Sequence, residues 1–286
     1  LRNDGELNQM LLDLIRMNVR VPEQTIGDLM ANVGCNEVGG RAIVEFMEEY
    51  GLDELESLSE AVNAHAETAM RERIVEIPDG NYDNSIQIEG PGQPIRLAAQ
   101  VKVNNSDVAI DFAGTDGPVR ASINVPVCYT RAQSNYVIKC LTIPSLPNNE
   151  GAIRPITVSA PENCILNAQP PWPTGGRHSV GHFVVPLLMG ALAEALPDKV
   201  QADTAMMNVL SVQGRHRDGE DVSSLFFLAG GLGAMQGISG RAVTPAPSNM
   251  TVVPTEIWEN RTSMTIERRQ ILYGTGGKGR WPGGDG

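Results

Sequence analysis

Three groups of side chains have the types and spacing to do chemistry. Gly274-Thr275-Gly276-Gly277-Lys278-Gly279 satisfies the G-x-G-x-x-G spacing and follows an expected strand, which is half the context of a dinucleotide-binding loop. The other half is missing. Arg280-Trp281-Pro282-Gly283-Gly284 cannot begin the helix whose N-terminus would hold a pyrophosphate, and Lys278 lacks the Ser or Thr that follows it in a P-loop. A tight structural loop is the favoured reading. His178 and His182, four residues apart, would share a helix face and offer two nitrogens to a metal. No third ligand is evident, and the glycines around them leave the helix itself open, so histidines at a surface or helix start are the default. Asp111 and Asp116 in AIDFAGTDG could share proton transfer or bind a cation, but an Asx turn at a strand end is the plainer reading and the favoured one. His65 and His216 stand alone in polar stretches. No H-E-x-x-H, no G-x-S-x-G and no cysteine in a nucleophile setting occurs. The motifs alone lead no further than a soluble α+β protein.

Local patterns indicate what must position these groups. LNQMLLDLIRMNVRV sets Leu7, Met10, Leu11, Leu14 and Ile15 on one helical face, and Pro22 is expected to stop that helix. Thr25 is an expected N-cap for a second helix; IVEFMEEYGL and ELESLSEAVNAHAETAMRERIVEI read as two more, broken at Gly51. The period falls to two after Pro78-Asp79-Gly80. Strands Ile95–Val103 and Val108–Phe112 flank Asn104-Asn105-Ser106-Asp107 as the clearest hairpin. A buried helix in INVPVCYTRAQSNYVIKCLTI, a short strand at ITVSA and a small-residue helix over HFVVPLLMGALAEAL follow, then strands at MMNVLSV, SLFFLA and TSMTIERRQILY. The expected fold class is α+β: a helical region over residues 1–77, then a mixed, largely antiparallel β region over 78–286 with packed helices and Gly-rich loops, all one continuous core.

Composition narrows the function classes. A net charge of −12 across 286 residues, without any Lys/Arg run to reverse it locally, repels phosphate backbones and anionic lipid, so nucleic-acid and membrane-surface roles are excluded. No stretch approaches the ~20 apolar residues of a membrane-spanning helix, and LRNDGELNQM does not read as a secretory signal. The scattered Cys35, Cys128, Cys140 and Cys164 fit neither a metal pair nor a disulfide framework, and buried reduced thiols in a cytoplasmic protein are expected.

Several separated segments, in the right order, resemble the hydantoinase B/oxoprolinase family. NVRVPEQTIGDLMA and AMRERIVEIPDGNY are similar to its Asn-Val-Arg-x-Pro, Gly-Asp-Leu and Arg-x-x-Ile-x-x-x-Pro-Asp-Gly-x-Tyr elements. IDFAGTDGPVRASIN is similar to its Asp-Phe-x-Gly-Thr stretch leading to Ile-Asn, and GTGGKGRWPGGDG to its glycine signature. Family members often read Asp-Ser-Gly-Gly where Gly274-Thr275-Gly276-Gly277 stands, and Arg-Gly-Gly where Trp281-Pro282-Gly283-Gly284 stands. The likeness covers nearly the whole chain.

The resemblance implies a B-type subunit of an ATP-dependent amidohydrolase that opens a small cyclic amide (a hydantoin, 5-oxoproline or a lactam). An A-type hydantoinase subunit would bind the ATP. It also implies, as an alternative, a subunit of an ATP-dependent ketone carboxylase; a non-catalytic scaffold is a third reading, because these residues hold no complete catalytic constellation. Family sequences carry, upstream of Asn-Val-Arg, a Thr-His-x-x-Asp region that looks like metal ligands, whereas the family elements here begin within a few residues of Leu1. The expectation is a fragment of a longer family chain, with a divalent metal held outside it. Arg177, Asn249 and Glu256 match recurrent polar positions of the family's later half, and Arg or Asn beside a phosphorylated intermediate would stabilise charge.

Overall fold

The computed structural model describes all residues except Asp4, Pro245, Asn249 and Thr251. It divides into two compact units. The first comprises Leu1–Leu58, Asn208–Leu228 and Thr251–Gln270; the second comprises Ser59–Met207, Ala229–Met250 and Ile271–Gly286.

In the first unit a short antiparallel pair, β1 (Arg2–Asn3) and β2 (Glu6–Leu7), leads into α1 (Gln9–Asn18), where the Asn8 side chain accepts from the Leu11 amide at 3.0 Å as N-cap. The apolar face expected on α1 is not the buried one. Leu12 alone is buried, while Met10, Leu14 and Met17 stay exposed. A second departure follows at once, because Pro22 starts a helix and does not merely stop one. α2 runs unbroken over Pro22–Tyr50, with proline in its first turn, where the missing N–H has no intrahelical partner to lose. Thr25 is therefore inside the helix, its hydroxyl donating back to Val21 O at 3.0 Å. The expected break at Gly51 is present: its φ of 63° closes the helix in the left-handed conformation that glycine adopts without strain.

α3 (Glu56–Ile74) turns Ala66, Met70 and Ile74 into the core of the second unit. There β3 (Gly80–Ile88), β4 (Ile95–Asn104) and β5 (Asp107–Asp111) form an antiparallel meander. The hairpin forms with Asn105 at φ 53°, a region Asn tolerates better than most residues. After α4 (Val127–Thr142) and the single turn α5 (Glu150–Ile153), β6 (Ile156–Ser159) joins β5 in parallel. α6 (His178–Gly181) and α7 (Val184–Ala191) follow. α7 stops at Ala191, short of the expected Leu196. Leu97, Val101, Ile110 and Phe112 of the sheet side meet Ile138, Leu141, Leu187 and Leu188 of the helices in one buried cluster, each such side chain contributing roughly 1.5–3 kcal/mol by leaving water.

β7 (Met207–Arg215) and β8 (Asp221–Ala229) pair in a separate two-stranded sheet, and α8 (Thr255–Arg261) brings Trp258 within 4.3 Å of Phe226. The strand expected over TSMTIERRQILY is absent: these residues are irregular, and Arg269 instead lies over the Trp258 ring at 4.9 Å. All four thiols are free, but only Cys164 is buried; the expectation of four buried cysteines is wrong for Cys35, Cys128 and Cys140, which are exposed. The α+β class holds, with a helical front and a sheet that is antiparallel except at β6. Among the described residues no helix is long and apolar enough to cross a membrane.

Candidate functional site: a cleft built on stacked glycines

In the second unit, the extended segment 201–205 lies against glycine-rich backbone. Ala202 N donates to Ala234 O at 2.9 Å and Ala205 N to Gly231 O at 3.0 Å. Behind it, Leu232 N reaches Arg241 O at 2.8 Å, Gly284 N reaches Leu232 O at 2.9 Å and Gly240 N reaches Pro282 O at 2.8 Å. These layers lie so close that a Cβ on Gly230 would overlap the carbonyl of Ala205, one on Gly233 that of Ala202, and one on Gly284 that of Arg241. Glycine is required here because backbone packs directly on backbone. The G-x-G-x-x-G spacing belongs to this stack. Gly276 faces Gly283, and its amide donates at 2.8 Å to Asp285, whose carboxyl is held below the usual range by the amides of Gly276, Gly274 and Thr275. Within the loop Gly276 serves packing, whereas a Cβ on Gly274 or Gly277 would meet nothing within 4 Å.

The segment 201–205 is the shared wall of two openings. One is a recess of about 580 Å³ whose apolar lining comes from Ile86 and Ile88 of β3 and from Phe183, Pro186, Met189 and Ala193 on and around α7. The other is a groove of about 320 Å³ lined by glycine backbone, Lys278 and Trp281. Both lie in the size range of small-molecule sites. α7 is seated for this by Asn84, whose side-chain amide donates to Leu187 O at 2.9 Å beside the bare Cα of Gly190. Asp203 lines both openings. Although its residue surface is exposed along the groove, desolvation pushes its carboxyl up, opposed by the Thr204 amide. Sequence reasoning missed Asp203, because a lone carboxylate between Ala202 and Thr204 belongs to no motif.

Beneath the cleft, His182 is 6% exposed and shares with Asp203 and Tyr136 a cavity of about 20 Å³, room for a single water and not for a substrate. Ser248 Oγ is 3.4 Å from His182 Nε2, and the rings of His178 and Tyr129 are each centred 6.3 Å from that of His182. Burial lowers the pKa of both histidines; the Arg177 charge adds to this at His178, and His178 adds to it at His182. A histidine depressed in the folded state binds fewer protons than its unfolded counterpart, so stability is complete above the ordinary value of 6.5 and declines as pH falls through the folded pKa. Denaturant midpoints measured at pH 7.5 and 5.5 should fall on acidification, and His182→Gln should shrink that fall. An identical fall in both proteins would show that His182 is not the group responsible.

The structure places the sequence-derived candidates as follows. Arg177 is exposed, directly before α6, with its guanidinium 5.7 Å from the Tyr129 ring centre. Glu256 is exposed in the first turn of α8, in the other unit, and Asn249 lies outside the described residues. Asp111 accepts from Ala113 N at 3.2 Å in the local turn expected at a strand end, whereas Asp116 accepts from Arg96 N at 2.7 Å and ties its loop to β4. His216 Nδ1 is 2.6 Å from Asp218. Among the described residues no three His, Cys, Asp or Glu side chains gather as a metal-binding group, which leaves His178 and His182 without a third ligand.

The family model described as hydantoinase B/oxoprolinase matches residues 1–286. The chain belongs to the hydantoinase B/oxoprolinase family. This family member is 29% identical over 299 residues to the B-type subunit of a putative D-/L-hydantoinase of Pseudomonas sp. (strain NS671), covering 99% of this chain and 50% of that protein. Its fold is that of the ATP-dependent caprolactamase from Pseudomonas jessenii (TM-score 0.86, 22% identity, all of this chain and 51% of that one). Nucleotide-free acetone carboxylase has the same fold (TM-score 0.86, 18% identity, 99% of this chain and 41% of that one). The chain thus spans about half the length of the hydantoinase polypeptide it matches.

Proposed function

We propose that this chain is part of the B-type subunit of an ATP-dependent amidohydrolase that opens a small cyclic amide, working with an A-type subunit that binds ATP. The match to the hydantoinase B/oxoprolinase family along the whole chain carries this reading, and the cleft at Asp203 supports it by offering a ring-sized apolar recess beside hydrogen-bonding backbone. An unactivated amide is a poor electrophile, and ATP-driven phosphorylation of its oxygen in the partner subunit would supply the missing leaving group. The described residues do not fit a divalent metal. The divalent metal that the family resemblance implies is proposed to be held outside these residues, and no step here runs through it. In the cleft, the chain's own residues would hold the ring and keep water from it. Arg177 and Asn249 are the proposed contributors of charge and hydrogen bonds to the phosphorylated intermediate, and Glu256 is kept as a proposed site residue without that role. The test is ATP-dependent ring opening of at least one of hydantoin, 5-oxoproline and ε-caprolactam by the complete B-type subunit with its partner. This chain alone should turn over none of them. ATP-dependent fixation of bicarbonate onto acetone, without ring opening, would replace this reading with the ketone carboxylase one.

A further inference from the structure

We infer that the cleft selects a cyclic amide carrying an uncharged, apolar substituent and rejects one carrying a carboxylate, with Asp203 as the residue that makes the distinction. The inference rests on the amidohydrolase reading and adds the substrate class. Among the described residues, Asp203 is the only charged side chain that lines the 580 Å³ recess. The rest of that lining is Ile86, Ile88, Phe183, Met189 and other groups without charge. Lys278 lines the glycine groove and not the recess.

The chemistry follows from this placement. A hydrocarbon substituent entering the recess replaces water against aliphatic and aromatic walls and gains about 25 cal/mol for each Å² of apolar surface buried. A carboxylate in the same place would lose its hydration without a cation to compensate, and would face a second carboxylate. A ring N–H at the junction of recess and groove is, by contrast, a donor that Asp203 can accept. Burial, and then His178, lower the pKa of His182 beneath it. Two features thus act together: apolar walls favour the correct substituent, and one anion repels the wrong one.

The experiment uses the complete B-type subunit with its partner and ATP, and a near-isosteric pair, 5-isobutylhydantoin and hydantoin-5-acetate. The expected kcat/KM ratio favours the isobutyl compound by more than about tenfold, the order of discrimination a pocket of this kind supplies. Asp203→Asn should narrow the ratio several-fold and Asp203→Lys should reverse its direction, with unchanged thermal melting as the check on folding. Ala193→Leu, which fills the recess from α7's end, should lower the ratio of 5-isobutylhydantoin to unsubstituted hydantoin. A wild-type preference for the acetate, or a ratio that Asp203→Asn and Asp203→Lys leave unmoved, overturns the inference while the amidohydrolase reading stands. Failure to open any cyclic amide removes that reading, and this inference with it.

Discussion

Gly284→Ala will leave little folded protein. The Gly284 amide donates to Leu232 O at 2.9 Å, its carbonyl faces the Cα of Gly231, and an added Cβ would overlap the carbonyl group of Arg241 and the amide of Ala242. Every atom in the way is backbone, so no side-chain rotation relieves the overlap. The layers must separate, which breaks hydrogen bonds on both sides. The expected loss exceeds about 4 kcal/mol, at the extreme of single substitutions. Gly277→Ala is the matched control, because a Cβ there meets nothing within 4 Å; a change within about 1 kcal/mol is expected for it. Soluble yield and thermal melting of the two variants decide the matter. Equal stability would mean that the glycines are not held in a close stack.

Asn124→Asp will cost about 3–5 kcal/mol and make stability strongly pH-dependent. Asn124 is completely buried. Its oxygen accepts from Val119 N at 2.8 Å, and its amide donates to the carbonyls of Val119 (2.9 Å), Ala121 (2.8 Å) and Pro173 (3.0 Å). One side chain thereby fixes both the 119–124 turn and the distant approach to α6. Aspartate matches the shape but points an oxygen at three carbonyls. The folded state would therefore hold its proton more tightly than the unfolded state does. A carboxyl whose folded pKa is raised binds more protons in the folded state, so stability should fall as pH rises from about 4. Guanidinium melts at pH 4.5 and 7.5 test this: the variant should lose more between them than the parent does. A pH-independent deficit would mean that the carbonyls do not converge on this side chain.

Much of the local structure is legible in the residues. The hairpin of β4 and β5, the helix α4, the short β6 and the stop at Gly51 all follow from short-range periodicity and turn chemistry, and the structure contains each of them, although α4 is buried along one face only. Local rules failed where packing chose between equally permitted options. Pro22 is as acceptable in a helix's first turn as after its end, and the apolar stripe of α1 satisfies the period without being the face that is buried. The family, too, was legible, because its elements are spread along the chain in order and each is a short, local pattern.

The site was not legible, for a different reason. Asp203 acquires its place only when segment 201–205 is laid across glycines some thirty and eighty residues later in the chain, with α7 closing the other side. A close approach of backbone to backbone is written in sequence only as missing side chains, and Gly230-Gly231, Gly233 or Gly283-Gly284 look the same whether they form a loose loop or a stack. Residue types and their local spacing therefore determined the elements and the family. Only the tertiary structure decided which carboxylate stands at the cleft, because that depends on distances between segments remote in sequence.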